Sequence, residues 1–115
     1  MLGGHGDTMI PLTRYCSVGG VPVTTLIKPE VLAKIVERTK NAGTEIVGLL
    51  KTGSAFFSPA ATSVEMAEAI VKDKKRVIVS ACLLEGEYGI TGYFIGVPAV
   101  IGAGGVEKVI EVELN

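Results

Sequence analysis

The sequence predicts an α+β fold in which an antiparallel sheet packs against long helices. Apolar residues recur at helical spacing between residues 29 and 51, and again between residues 59 and 73. A run rich in β-branched residues from Val77 to Leu84 is typical of a buried strand, and apolar residues alternate with glutamates over residues 110–114. These three observations indicate an antiparallel meander that packs against helices.

Length and composition predict one domain over residues 1–115 that leaves apolar surface uncovered. A chain of 115 residues forms one core rather than two. Its hydrophobic content is 48%, and its mean hydropathy is +0.47, which is high for a soluble domain of this size. The remaining apolar surface should be covered by something else. We do not expect a membrane, because the stretch Tyr93 to Val106 is short and is broken by Pro98 and glycines.

Charge and cysteine usage exclude several classes of protein. The net charge of −1, with scattered lysines, disfavours nucleic acid as a partner. Cys16 and Cys82 belong to no paired motif, so we expect free thiols in a reducing cytosol. A single histidine and two separated cysteines predict no metal site. The N-terminus has no secretory signal pattern, so the predicted location is cytoplasmic.

The elements before the first long helix are predicted to be short. Met1 and Leu2 are interpreted as the end of a strand that delivers the loop containing His5. Pro11 and the pair Gly19–Gly20 then divide the following segment into a loop and short extended pieces.

The first long helix is predicted to begin at Pro29, whose missing N–H is harmless in a first turn. Leu32, Ile35 and Val36 lie on one face, and Ile46, Leu49 and Leu50 continue the pattern after Gly43. We expect either two helices or one helix kinked between Asn41 and Gly43. The residue pattern alone favours a helix in the core.

A second helix is predicted from Pro59 to Asp73, with Ser58 as its N-cap. Its predicted buried face consists of Val64, Ala67, Ile70 and Val71. The basic run Lys74–Lys75–Arg76 should be a solvated helix end, which the helix dipole favours.

Three strands should follow. Val77 to Leu84 is the first, and Tyr93 to Ile101 is its partner. A turn from Gly102 to Gly105 leads into the third strand, in which Ile110, Val112 and Leu114 face the interior.

The glycine clusters do not form a dinucleotide-binding motif. The pattern that begins at Gly102 has Glu107 where its last glycine should stand, and the one that begins at Gly4 has Met9 there. The chain therefore has no nucleotide fingerprint of its own.

The only histidine, His5, lies between glycines and is the candidate acid–base group. Glycine lets the backbone take unusual angles and lets a ligand approach the imidazole closely. Histidine titrates near neutral pH, so a side chain presented in this way is suited to proton transfer. The alternative is an ordinary surface or core histidine.

The segment Gly3-Gly4-His5-Gly6-Asp7-Thr8-Met9-Ile10-Pro11-Leu12 resembles the catalytic-histidine segment of the malate and lactate dehydrogenase family. The resemblance continues through residues 51–55, 88–90, 96–98 and 102–108, and so covers the whole chain. It implies the C-terminal portion of such an enzyme, closest to the malate dehydrogenases with lactate-dehydrogenase-like architecture. The nucleotide-binding Rossmann domain and a final helix are then expected outside this sequence.

The resemblance implies the roles of individual residues. His5 would exchange a proton with the C2 hydroxyl of a 2-hydroxy acid while NAD takes the hydride. Ser54 and Gly53 would line the substrate pocket, and Ser58 and Pro59 would approach the nicotinamide. The carboxylate that orients the histidine and the substrate-binding arginines would lie upstream, and Asp7 is not one of these groups.

The resemblance also implies a place in the tricarboxylic acid cycle and a homo-oligomer, a dimer or a tetramer, with the first long helix at a subunit interface. Three alternatives stay open. The chain could be a non-catalytic assembly fragment, the same portion of an L-lactate dehydrogenase, or an unrelated α+β binding domain. The isolated chain is expected to be inactive.

Overall fold

A computed structural model describes residues 1–114, except for the side chain of Asp7. The chain forms two compact units. We call residues 1–4 together with those from Phe56 onward the sheet unit, and His5–Ala55 the helical unit. None of the helices in the described residues is both long enough and apolar enough to cross a membrane.

Helices dominate the middle of the chain, and the longer strands follow them. The strands are β1 (Leu2–Gly3), β2 (Met9–Ile10), β3 (Ser17–Val18), β4 (Val21–Pro22), β5 (Arg76–Glu85), β6 (Thr91–Gly102) and β7 (Gly105–Val109). The α-helices are α1 (Val23–Leu26), α2 (Pro29–Lys40), α3 (Ala42–Leu50) and α4 (Phe57–Val71). Short 3₁₀ turns occupy Gly6–Thr8, Thr13–Tyr15 and Glu87–Gly89.

Strand β6 is the centre of the antiparallel sheet in the sheet unit. Strand β5 pairs along one edge of it, in a register that places Val79 opposite Pro98. On the other edge, β1 places Gly3 opposite Gly96, and β7 follows β6 through a tight hairpin. The predicted antiparallel meander is confirmed.

The core of the sheet unit lies between this sheet and α4. The buried apolar residues are Leu2, Ala69, Cys82, Leu84, Val97, Ala99 and Ile101. Cys82 and Leu84 lie two residues apart on β5, so the pleat points both toward the same face of the sheet. The alternation along β5 and β6 therefore decides which side chains enter the core.

The predicted buried face of α4 is wrong. Val64, Ile70 and Val71 are exposed, with Val71 at 84%, whereas Ala69 is fully buried and Met66 packs against the core. Apolar residues occur around most of this helix, so periodicity offered more than one possible buried face. The face of α4 that packs against the sheet carries Ala69, whose small side chain allows the helix to approach the sheet closely.

The third strand ends earlier than predicted. Strand β7 stops at Val109, and residues 110–114 have no strand assignment. The Tyr88 hydroxyl donates to the Ile110 carbonyl at 2.9 Å and accepts the Val112 N–H at 2.9 Å. A side chain thus replaces a neighbouring strand as the partner of these two groups, while the Ile110 N–H still donates to the Pro98 carbonyl of β6 at 2.8 Å. Ile110 and Val112 remain half-buried, as their alternation predicts, whereas Leu114, which was predicted to face the interior with them, is 52% exposed.

The helical unit confirms the two-helix alternative, with the break at Asn41 rather than at Gly43. Asn41 leaves helical geometry at φ −95° and ψ 4°, and its side-chain amide donates to the Glu37 carbonyl at 3.0 Å. Arg38 of α2 donates two hydrogen bonds to Glu45 of α3, at 2.9 and 2.7 Å. Gly43 lies inside α3.

The prediction of a core helix is wrong for this chain. Neither α2 nor α3 has a buried residue. Ile35 is 47% exposed and Leu49 is 76% exposed. Leu32 and Val36 on this apolar stripe are partly buried, but the described residues of the helical unit leave most of the stripe exposed.

Candidate active site

His5 lies at a sharp change of backbone direction. The residue is extended, at φ −103° and ψ 151°, and the 3₁₀ turn Gly6–Thr8 begins directly after it. Gly6 has φ +79°, a conformation that other residues rarely adopt, and a Cβ there would meet no atom within 4 Å. Because His5 is also exposed, its imidazole is accessible to a ligand.

Among the described residues, two hydrogen bonds organise the turn after His5. The Thr8 hydroxyl donates to the His5 carbonyl oxygen at 3.2 Å. The Met9 N–H donates to the Gly6 carbonyl. The first of these bonds joins the end of the turn to the histidine residue itself.

Ser54 and Gly53 follow the end of α3. Lys51, the C-cap, is in the left-handed conformation at φ 62°, and Gly53 also has a positive φ of 79°. The chain therefore turns out of the helix twice within three residues, and Ser54 is exposed. His5, Gly53 and Ser54 all belong to the helical unit.

Ser58 and Pro59 lie in the first turn of α4, in the sheet unit. The prediction that Ser58 is the N-cap is wrong, since the N-cap is Phe56 and the Ala60 N–H donates to the Phe56 carbonyl at 2.9 Å. A proline fits any position of a first turn, because the N–H groups there have no partner within the helix. The helix therefore begins earlier than the proline indicated.

Two exposed aromatic side chains precede Ser58 and were missed by the sequence reasoning. The Phe56 and Phe57 rings lie with their centroids 4.8 Å apart, and Phe57 is 79% exposed. Adjacent phenylalanines directly before Ser58 and Pro59, in a chain with only 5% aromatic residues, were the available signal. They form an exposed aromatic pair at the start of α4.

The basic run after α4 is exposed but paired. Lys74 lies 2.9 Å from Glu68, and Arg76 lies 2.7 Å from Glu65. Lys75 lies 2.8 Å from Glu107. The helix ends at Val71, before the run begins, so these cations neutralise carboxylates more than they interact with the end of the helix.

Neighbouring groups shift the pKa values of two acids in this network. The pKa of Glu68 is lowered to about 2, first by hydrogen bonds from Lys72 and Lys74 and then by their charges. The pKa of Asp73 is lowered, chiefly because its carboxylate accepts the Ala103 N–H at 2.8 Å. This network joins the α4–β5 turn to the β6–β7 hairpin, and so its role is structural.

The cysteines and acids suggest no metal chemistry. Cys16 is exposed and Cys82 is buried, and both are free thiols. Burial, followed by the charge of Glu87, raises the pKa of the Cys82 thiol, which favours the protonated and less reactive form. Among the described residues, no group of three His, Cys, Asp or Glu side chains is arranged to hold a metal ion.

Comparison with known proteins identifies the family. The family described as "lactate/malate dehydrogenase, alpha/beta C-terminal domain" matches residues 1–115. Malate dehydrogenase from Myxococcus xanthus is 60% identical over 115 residues, which are 100% of this chain and 37% of that relative. Malate dehydrogenase 1 from Anaeromyxobacter dehalogenans (strain 2CP-C) is 61% identical, with the same coverage.

Solved structures agree with the fold. Malate dehydrogenase from Salinibacter ruber matches with a TM-score of 0.95 and 57% identity, over 99% of this chain and 37% of that one. Lactate dehydrogenase from Eimeria maxima, solved with NADH and oxamate, matches with a TM-score of 0.94 and 44% identity, again over 99% and 37%. The chain thus spans a little over a third of the length of these relatives.

The predicted fold class and the predicted family are both confirmed by these matches, and the alternative of an unrelated α+β binding domain is wrong. The chain therefore belongs to the lactate/malate dehydrogenase family, and it corresponds to the C-terminal α/β domain of that family.

Proposed function

We propose that residues 1–115 are the C-terminal, substrate-side domain of an NAD-dependent malate dehydrogenase that oxidises (S)-malate to oxaloacetate. The observation that carries the proposal is the exposed imidazole of His5, presented between glycines in a chain 60% identical to a malate dehydrogenase. NAD, when bound, accepts the hydride that leaves C2 of malate.

His5 is the proposed acid–base group. Its neutral imidazole takes the proton of the C2 hydroxyl while the hydride leaves from C2, so a carbonyl forms and His5 becomes cationic. In the reverse direction, His5 returns this proton to the carbonyl oxygen of oxaloacetate. The exposure of His5 supports this role, because the substrate must reach hydrogen-bonding distance of the ring.

Ser54 and Gly53 are the proposed substrate-binding residues, and Ser58 and Pro59 the proposed cofactor contacts. Ser54 carries an exposed hydroxyl just after a positive-φ glycine, where the backbone leaves room for a small acid. Ser58 is exposed in the first turn of α4 and follows two exposed aromatic residues along the chain, which supports an apolar ring as the ligand of this corner. We propose that a domain outside these residues binds the phosphates of NAD, since the chain covers only 37% of a relative named malate dehydrogenase.

The test is His5→Asn in the complete enzyme. Asparagine keeps hydrogen-bonding capacity but does not titrate, and so kcat should fall by at least about 10²–10⁴-fold with little change in the Kd for NADH. Cys16→Ser, an exposed substitution in the same unit, is the matched control and should retain turnover. Near-normal kcat in His5→Asn would contradict the proposal.

The 115-residue chain alone should not turn over malate, because positioning of both reactants supplies much of an enzyme's rate. The measurement is malate-dependent NADH production by a preparation free of the complete enzyme. Detectable turnover would overturn the assignment of cofactor binding to another domain.

A lactate specificity is the second candidate for the same chemistry, since a lactate dehydrogenase matches the fold at 44% identity. The ratio of kcat/KM for malate to that for lactate decides between them. We expect malate to be preferred, because the curated relatives at 60% and 61% identity are named malate dehydrogenases.

The third candidate is a purely assembling role through α2 and α3, which the exposed side chains of Ile35 and Leu49 favour. We propose instead that this surface joins copies of the enzyme in a cytoplasmic homo-oligomer. Inactivity of the complete chain, together with stable self-association, would favour the assembling role.

A further inference from the structure

The turn that carries His5 is restrained by a side chain to which the proposed function gives no role. Thr8 is exposed, and its Oγ1 donates to the carbonyl oxygen of His5 at 3.2 Å. This bond spans the 3₁₀ turn Gly6–Thr8 from its last residue back to its N-cap. It therefore restrains the residue that holds the imidazole.

Glycines make such a restraint necessary. Gly4 and Gly6 flank His5, and glycine has the widest choice of backbone angles. A Cβ at Gly6 would meet no atom within 4 Å, so packing against this residue does little to restrict the turn. The backbone bond from the Met9 N–H to the Gly6 carbonyl fixes the residues after His5 but does not touch His5.

We propose that Thr8 is a positioning residue for His5: its hydroxyl holds the His5 backbone, and through it the imidazole, in the orientation that proton transfer requires. This inference rests on the proposed role of His5 in acid–base catalysis. Small displacements of a reacting group reduce a rate strongly, because proton transfer depends on the distance and angle between its two heavy atoms. The bond to the carbonyl involves neither imidazole nitrogen, so it does not compete with the substrate for the ring.

The test compares Thr8→Val with Thr8→Ser in the complete enzyme. Valine has nearly the shape of threonine but cannot donate a hydrogen bond, whereas serine keeps the donor and loses the methyl group. Thr8→Val should lower kcat about tenfold, with Tm and the Kd for NADH unchanged. Thr8→Ser should keep kcat within about twofold of the parent, since the donor is retained.

A double mutant shows whether Thr8 acts through His5. In a His5→Asn background, Thr8→Val should lower kcat no further, because the group that it positions is gone. Equal losses with valine and serine, an unchanged kcat in Thr8→Val, or the same tenfold loss in the His5→Asn background would each overturn the positioning role. If His5→Asn retained near-normal kcat, both the proposed function and the positioning role would be wrong. If His5→Asn lost most of its kcat while Thr8→Val kept the kcat of the parent, only the positioning role would be wrong.

Discussion

The two units differ in how they use their apolar residues. The buried apolar residues, Leu84 and Ala99 among them, all lie in the sheet unit, while the described side chains of the helical unit include none that is buried. The sheet unit has an antiparallel sheet of paired strands with one helix packed against it. The helical unit has short helices whose apolar stripe stays open.

This difference is informative because the candidate catalytic residue lies in the unit without a core. His5, Gly53 and Ser54 belong to the helical unit, in turns at the ends of short elements. Residues that bind ligands are drawn from segments of low local stability, since such segments can adjust to a substrate. The sheet unit therefore supplies most of the stability, and the helical unit carries most of the proposed chemistry.

The largest expected effect on stability comes from truncating the core of the sheet unit. Leu84→Ala removes a side chain that is 0% exposed, and so the free energy of unfolding should fall by about 2–5 kcal/mol. Leu49→Ala, at 76% exposure in the helical unit, is the matched control and should change it by less than about 0.5 kcal/mol. Urea denaturation of dilute samples measures both, and equal losses would erase the distinction between the units.

The second test concerns glycine. A Cβ at Gly96 would lie 2.7 Å from the Gly3 carbonyl oxygen, which is backbone and moves only if β1 moves. Gly96→Ala should therefore destabilise the fold by about 1–3 kcal/mol. Gly48→Ala, inside α3 with open space around it, should stabilise by about 0.5–1 kcal/mol. Calorimetry of the two variants should show Tm shifts of opposite sign.

The third test asks what covers the open stripe of the helical unit. We expect the chain to self-associate through the face that carries Ile35 and Leu49. Replacing both residues by Glu places charges in a desolvated contact. The dissociation constant of self-association should therefore rise by at least about tenfold. Val64→Glu with Val71→Glu, on the exposed face of α4, is the control and should leave association unchanged. Analytical ultracentrifugation measures the association. A parent chain that sediments as a monomer, or a double mutant that sediments as the parent does, would contradict this interface.

The smallest effect should be a dependence of stability on pH from Glu68. Its pKa lies at about 2 in the folded chain, below the ordinary value of 4.5, because Lys72 and Lys74 hydrogen-bond the ionised form. A lowered pKa contributes stability above pH 4.5 that is lost as the pH falls towards 2. Since solvent reaches the Glu68 side chain, which is 39% exposed, Glu68→Gln should only slightly flatten the acid limb of the Tm–pH profile. Glu30→Gln makes the same charge change in the helical unit, and an equal flattening there would exclude the Lys72–Glu68–Lys74 cluster as the cause.

The sequence by itself determined the family, the order of the elements and the residues proposed for chemistry. The meander of β5, β6 and β7 was readable because strand pairing follows from β-branched runs and a glycine turn, which are local properties. The helix start at Pro29 and the break near Asn41 were readable for the same reason. His5 and Ser54 were identified through the resemblance, and the structure places both in exposed turns.

Only the tertiary structure decided which apolar faces are buried and what ends the last strand. Val64 and Val71 satisfy helical spacing as well as Ala69 does, yet the sheet covers Ala69, because the choice depends on the shape of a surface distant in sequence. Residues 110–114 alternate like a strand, yet the Ile110 carbonyl and the Val112 N–H bond to the Tyr88 hydroxyl, more than twenty positions away, instead of to a neighbouring strand. Periodicity reports that a face is apolar, and long-range packing determines what, if anything, covers it.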